Sequence, residues 1–359
     1  MRSRQPPADN THPHSSARVL LAHGSGGQLA RELVEQVFVH RFANPMLAEL
    51  NDSAIIELAK LHTESSVPAT VLAFTTDSYV VSPLFFPGGD IGKLAVSGTV
   101  NDLAVTGATP LYLSTGFIIE EGLPMETLER VVTSMAATAS IAGVQIVTGD
   151  TKVVNHGAAD GLFINTAGIG LAPAGTRLTP ANLRPGDQIL INGTIGDHGV
   201  AVMMQRQELS FHSALLSDCA PLNTLIAALL AACPGEVRCM RDPTRGGLVT
   251  ILSEWATAAN LGIEIEDAAI PVREEVRGLC EMLGLDPLYV ANEGKVVAAL
   301  SPASAETGLG ALQSHPLGRQ AAIIGHVTAE HPGRVVLHTT LGVHRLLEVL
   351  VGEQLPRIC

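Results

Sequence analysis

The stretch FTTDSYVVSPLFFPGGDIGKLAVSGTVNDLAVTGA, Phe74–Ala108, decides the fold. With the four residues before it, its first part reads TVLAFTTDSYVV, a run of Val, Thr, Leu and aromatic residues that predicts a β-strand. Proline and glycine then crowd into PGGD, which predicts a turn. Asp90 stands where a helix N-cap belongs, and the residues after it are long enough for a helix ending near Ala108. Strand, glycine turn and helix make an α/β unit. Its three aspartates, Asp77, Asp90 and Asp102, each lie beside small residues.

The alternation runs outward from there. Strand candidates SAIIEL, LYLSTGFII, VQIVTGDTKVV and LFINTAGIGL alternate with the helical stretches GQLARELVEQVFVHRF and PMETLERVVTSMAATASIAG, the latter with Pro124 in its first turn. Residues 172–187, APAGTRLTPANLRPGD, cluster proline and glycine as a linker does. A strand, QILINGTIG, opens the second half, and helices are expected near 199–208, 221–232, 244–259, 272–283 and 340–351. The expected fold class is α/β (α+β) in two domains. The division is a disordered extension over 1–17, an N-terminal domain over 18–172, a linker over 173–187, a C-terminal α/β domain over 188–348 and a mobile tail over 349–359.

Apolar residues make up 46% of the 359, enough for two cores, and only 3% are aromatic, so those cores rest on Ala, Val, Leu and Ile. A formal net charge of -13 disfavours nucleic acid and anionic membranes as partners. Five cysteines without a CxxC pair make neither a disulfide framework nor a zinc site, and predict reduced thiols. The N-terminal MRSRQPPADNTHPHSSA lacks the apolar stretch of a secretory signal. No apolar run reaches membrane-spanning length, and the expectation is a cytoplasmic protein.

Five short signatures carry acids: LNDSAII (Asp52), FTTDSYV (Asp77), GGDIGK (Asp90), TVNDLAV (Asp102) and VTGDTKVV (Asp150). A carboxylate in such surroundings needs a capping N–H, a basic side chain or a hard cation. Nearby bases are few, Lys93 and Lys152, and carboxylates without nitrogen or sulfur ligands suit Mg²⁺ with phosphates completing its shell. Glycine turns HGSGGQ and FPGGDIGK precede helices, where backbone N–H groups face phosphates. PGGDIGK is no P-loop, because its glycine spacing is one short and Leu94 replaces the Ser or Thr. GTIGDHG and RDPTRGGL, the latter with Asp242, add to a non-P-loop nucleotide site between the two domains. Glu293, in YVANEGKVV, reads either as a surface turn or as a base, and Lys152 either as a solvated lysine or as its charge partner. The histidines read as structural or exposed.

Together HGSGG, the 74–108 stretch, GDTKVV, NGTIGDHG, RDPTRGG, NEGK and the final PRIC closely resemble the HypE family of hydrogenase maturation factors. That family lies in the superfamily of aminoimidazole ribonucleotide synthetase, thiamine monophosphate kinase and selenophosphate synthetase. The resemblance runs from about His23 to Cys359, and the final PRIC is its specific mark. It implies that Cys359 accepts a carbamoyl group from the carbamoyltransferase HypF, and that ATP then drives dehydration of the carboxamide to a thiocyanate. The cyano group passes to iron in a HypC–HypD complex, for [NiFe]-hydrogenase. It further implies ATP and Mg²⁺ held by Asp52, Asp77, Asp102 and Asp150, with Asp90, Lys93, Asn101 and Asp242 as additional nucleotide ligands. Glu293 and Lys152 would serve proton removal, and the N-terminal sheets would join a homodimer across a two-fold axis. The alternatives are another kinase or ligase of the superfamily, or a scaffold that presents Cys359. A selenophosphate synthetase would carry a reactive Cys or Sec near its N-terminus, and HGSGG has none.

Overall fold

The computed structural model describes residues 27–33, 35, 54–57, 70–206, 214–350, 355 and 357–359. The N-terminal half runs α1 (Gln28–Leu33), β1 (Ala54–Glu57), β2 (Thr70–Tyr79), the short ladder β3 (Phe85–Phe86) and β4 (Gly89–Asp90), α2 (Ile91–Val105), β5 (Thr109–Glu120), α3 (Met125–Ala142), β6 (Gln145–Val154) and β7 (Leu162–Pro173). Its five-stranded sheet has the order β1-β2-β7-β5-β6, with only the β5–β6 pair parallel.

Asp90 caps α2, its Oδ1 accepting from the backbone N–H groups of Gly92 at 2.7 Å and Lys93 at 3.1 Å. Such a cap stabilises a helix by about 1 kcal/mol. Helix α2 is buried on nearly every side, as expected of a helix that is apolar all round. It packs on β2, β7 and α3, while Ala104 and Val105 at its end join a cluster with Leu225 and Met240 of the second half. One helix therefore belongs to both cores.

The C-terminal half runs β8 (Gln188–Ile191), α4 (Asp197–Arg206), α5 (Asn223–Ala232), β9 (Val237–Arg241), α6 (Gly247–Ala259), β10 (Gly262–Glu266), α7 (Glu274–Leu283), β11 (Val297–Leu300), α8 (Ala305–Gln313), β12 (Ala322–Thr328), β13 (Val335–His338) and β14 (His344–Leu347). Seven strands form a mixed sheet in the order β14-β13-β10-β12-β8-β11-β9. Trp255 and the aliphatic residues of α6 fill one of its faces.

One expectation needs correction, and one helix was not expected. The helix expected over 340–351 is strand β14, folded back on β13 with Val335 opposite Leu347 and His338 opposite His344. Gly342, at φ 75°, makes the turn that a continuous helix would not contain. Helix α8 went unread because Gly308 and Gly310 lower its helix propensity. At Gly308 a Cβ would press on the Leu300 side chain, which would have to shift.

Candidate active site

The end of the chain lies inside the molecule. Leu355 and Ile358 are buried in the N-terminal core cluster, with Cys359 packed beside them. The backbone N–H of Val80 donates to the Cys359 carbonyl at 3.2 Å, and that of Ser82 to the Arg357 carbonyl at 3.3 Å, so the tail runs beside the end of β2. Arg357 donates from Nε to the Val80 carbonyl at 2.9 Å and pairs with Asp160. Arg206 holds the carbonyls of both Ser82 and Arg357. His198, fully buried at the start of α4, bridges Ser217 Oγ and the Ile358 carbonyl, both at 2.8 Å. Burial pushes its pKa down. The ring is then neutral, Nε2–H donating to the tail and Nδ1 accepting from Ser217.

Charged groups converge around this end. Arg245 is held above its ordinary range first by the negative charge at Cys359, against desolvation, and further by Asp77 and Glu293. Glu293 is 3% exposed and its pKa lies well above the usual carboxylate range, first through burial and then through Asp242, Asp218 and Asp77. Its Oε1 has no hydrogen-bond partner among the described residues. Asp102 accepts from Thr75 Oγ1 at 3.0 Å, and Tyr79 is pushed up by burial and by Asp77 and Asp102 together.

Glu293 is held by its backbone. Its N–H donates to Asp218 Oδ1 at 3.1 Å, and Asp218 Oδ2 pairs with Lys295 Nζ at 2.9 Å, both side chains buried. Burial pushes Asp218 up, but Lys295 and His198 bring it below its ordinary value. Gly294 is obligatory between them, because a Cβ would overlap the Asp218 carbonyl. Asn101 donates to the Ala220 carbonyl at 3.2 Å and the Glu293 carbonyl at 3.4 Å, and accepts from the Leu222 N–H at 2.7 Å. It was expected among the nucleotide ligands. Its amide is instead engaged in joining α2 to the strip that carries Glu293.

Arg245 thus feels Cys359, Asp77 and Glu293 together, Glu293 in turn feels Asp242, and Asp77 and Asp102 both act on Tyr79. Asp90 serves α2 as its cap, and Lys93 donates to the Gly88 carbonyl at 2.9 Å. Asp52 lies outside the described residues. Asp150 and Lys152 stand apart, exposed on β6 and paired with each other at 2.7 Å. The register explains why. Asp77 lies opposite Thr166, which is opposite Thr115, and all three point to the face covered by α2. Asp150 lies in the row Ser78, Asn165, Gly116, on the other face and three strands away. At about 4.8 Å per strand, that is roughly 14 Å. Within one chain, Asp150 and Asp77 do not share an ion.

The resemblance implies Mg²⁺ beside the nucleotide, and the donors fit. Asp77, Asp102 and Asp242 supply carboxylate oxygens whose negative charge is felt by buried Tyr79 and Glu293, a donor set without nitrogen or sulfur that suits a hard cation. Sequence reading missed Arg245, Lys295 and His198, although each lies inside a motif it had marked: RDPTRGGL, NEGK and GTIGDHG. Nothing in the sequence marks Ser217 or Asp218.

Two halves that share a helix, with carboxylates gathered where they meet, define a class of protein. Residues 51–172 match the N-terminal domain, and residues 184–338 the C-terminal domain, of AIR synthase related proteins. Carbamoyl dehydratase HypE of Escherichia coli (strain K12) is 54% identical over 341 residues, covering 95% of this chain and 99% of that one. A solved HypE in complex with ATP is 49% identical and covers 95% of this chain and all of its own, with a TM-score of 0.77. A HypE–HypF complex gives 0.81 at 45% identity, covering 89% of this chain and 99% of the other. The chain belongs to the HypE family of carbamoyl dehydratases, hydrogenase maturation proteins. Among the described residues no helix is long and apolar enough to cross a membrane.

Proposed function

We propose that this chain uses ATP to dehydrate a carboxamide, carried on Sγ of its own Cys359, to a thiocyanate, the source of an iron-bound cyano group in [NiFe]-hydrogenase. The observation that carries this reading is the convergence of the seated Cys359, a buried basic carboxylate and a guanidinium that feels both. An amide gives up water poorly because hydroxide is a poor leaving group. The carboxamide oxygen therefore attacks the γ-phosphoryl group of ATP, forming an O–P bond, releasing ADP and shedding one N–H proton. The C–O bond then breaks, phosphate leaves, and the remaining N–H proton is lost as C≡N forms.

Glu293 takes those protons. Burial, with Asp242, Asp218 and Asp77 nearby, raises its pKa and makes it a stronger base than an exposed glutamate. Arg245 holds the negative end of the tail beside it. Asp77, Asp102 and Asp242 hold Mg²⁺, which supplies charge neutralisation and positioning for phosphoryl transfer. His198, Arg206 and Arg357 seat the tail for the chemistry, and its release presents Cys359 to HypF for loading and to HypC–HypD for delivery. The solved HypE–HypF complex of a relative supports the first of these partners.

A homodimer completes this reading. The bare face of the five-stranded sheet exposes Phe74, Tyr112, Ile118 and Leu171, an apolar surface fitted to a second copy. Lys152 lies on that same face, opposite Ile118, where pairing carries it to the other subunit's reaction site. A cytoplasmic setting agrees with five free thiols. The test is Cys359→Ala. The variant should fold and bind ATP as wild type does, and take no carbamoyl group from HypF. A carbamoyl group on that variant at wild-type yield overturns the reading.

A further inference from the structure

Ser217 and Asp218 are neighbours in the chain, and each holds a different part of the site. Ser217 serves the tail. Its hydroxyl meets His198 Nδ1 at 2.8 Å and accepts from the Cys219 N–H at 3.1 Å, while His198 Nε2 reaches the Ile358 carbonyl. Asp218 serves the base. Its Oδ1 accepts from the Glu293 N–H and its Oδ2 from Lys295 Nζ, so one carboxylate closes Glu293, Gly294 and Lys295 into a clip. Both of its oxygens must accept. An amide in its place would turn a donor towards the Lys295 ammonium or the Glu293 N–H.

The backbone between these two side chains has no slack. The Ser217 N–H donates to the Pro87 carbonyl at 2.8 Å, and a Cβ on Gly88 would press on the Ser217 backbone. On the other side Gly294 lies against the Asp218 carbonyl, and the Ala220 N–H donates to the Glu293 carbonyl at 3.4 Å. The strip is thus wedged between the glycine turn that precedes α2 and the segment that carries Glu293. An unbroken path runs from the Ile358 carbonyl through His198, Ser217 and Asp218 to the Glu293 N–H. Its one covalent step joins Cα atoms about 3.8 Å apart. Close-packed interiors pass a displacement on rather than absorb it.

We infer that Ser217 and Asp218 are positioning residues for the dehydration, Ser217 registering the seated tail through His198 and Asp218 setting the place of Glu293. The inference rests on the reading of Glu293 as the base. The group that takes the protons is placed by the same tail that brings them.

The experiment compares full-length Ser217→Ala, Asp218→Asn and the double variant with wild type. Amide hydrogen exchange over residues 291–296, read by mass, should quicken about tenfold in Ser217→Ala, with residues 335–338 on β13 exchanging as in wild type. A general loss of stability would quicken both. In protein loaded on Cys359 and given saturating ATP, each single variant should lower the single-turnover dehydration rate by about tenfold or more, with ATP affinity unchanged. The double variant should be no slower than the slower single one, because both changes cut one path. Exchange requires neither ATP nor loading, so a failure of this link shows itself apart from any failure of the proposed reaction. It also decides the matter on Ser217→Ala alone should Asp218→Asn fail to fold. Wild-type exchange over 291–296 in Ser217→Ala, or a double-variant rate equal to the product of the two single losses, overturns the inference.

Discussion

The two faces of the five-stranded sheet differ in what covers them, and that difference sorts the acidic residues. On the covered face α2 and the C-terminal half exclude water from Tyr79 and Glu293, so the neighbouring charge of Asp77 acts strongly and their pKa values move. On the bare face Asp150 and Lys152 sit in solvent and compensate only each other. The same residue types thus form a buried, charge-coupled cluster on one side and an exposed ion pair on the other.

The largest expected effect breaks the covered side. Glu293→Gln keeps shape and removes the base, and the dehydration rate should fall by about 10²- to 10⁴-fold with ATP binding and carbamoyl loading intact. The pH dependence has a definite sign. Glu293 acts when ionised, so the rate should rise with pH through its raised pKa, and Glu293→Gln should lack that limb. The same shift means that the folded state binds the proton more tightly than the unfolded chain. Glu293 therefore lowers stability as pH climbs from the ordinary carboxylate range to its raised value. Glu293→Gln should gain Tm over that window. A rate and a pH profile equal to wild type would remove Glu293 from the chemistry.

Stability sharpens the contrast. Lys295→Met leaves Asp218 buried without its partner and should lower stability by about 3–5 kcal/mol, read by chemical denaturation. Lys152→Met, on the bare face, should leave the melt unchanged while reducing dehydration. Mixing Lys152→Met with Glu293→Gln should then restore activity, because a mixed dimer carries one site with both groups intact. No recovery would place Lys152 outside the other subunit's site.

The smallest effect concerns the tail. His198→Gln loses a buried hydrogen bond to the Ile358 carbonyl worth about 1–3 kcal/mol, and Cys359 should be alkylated about tenfold faster. An unchanged alkylation rate would mean that Arg206 and Arg357 hold the tail without it.

Much of this was legible in the sequence. The strand before Asp77 and the helix after Asp90 follow from β-branched runs, a glycine turn and a cap, and the structure has them within two or three residues. Glu293 and Cys359 stood out from their surroundings. What could not be read is what depends on register and distance. Asp77 and Asp150 end similar strands, and only the pairing through Thr166 or Asn165 puts them on opposite faces. Asp90 satisfied two readings, and the backbone of α2 took the cap. His198 meets the tail 160 residues later, a contact that no local pattern announces. The misread segment 340–351 carries spacing that suits helix or strand, and the edge of β13 chose the strand.

The most direct test follows the carboxamide oxygen. Protein loaded on Cys359 with a carbamoyl group bearing heavy oxygen in its carbonyl should be given ATP and Mg²⁺, and the released phosphate and the C-terminal peptide analysed by mass. The account predicts that the peptide loses the mass of one water while the label appears in inorganic phosphate, one label per nitrile formed. Label released into water, with unlabelled phosphate, would contradict it.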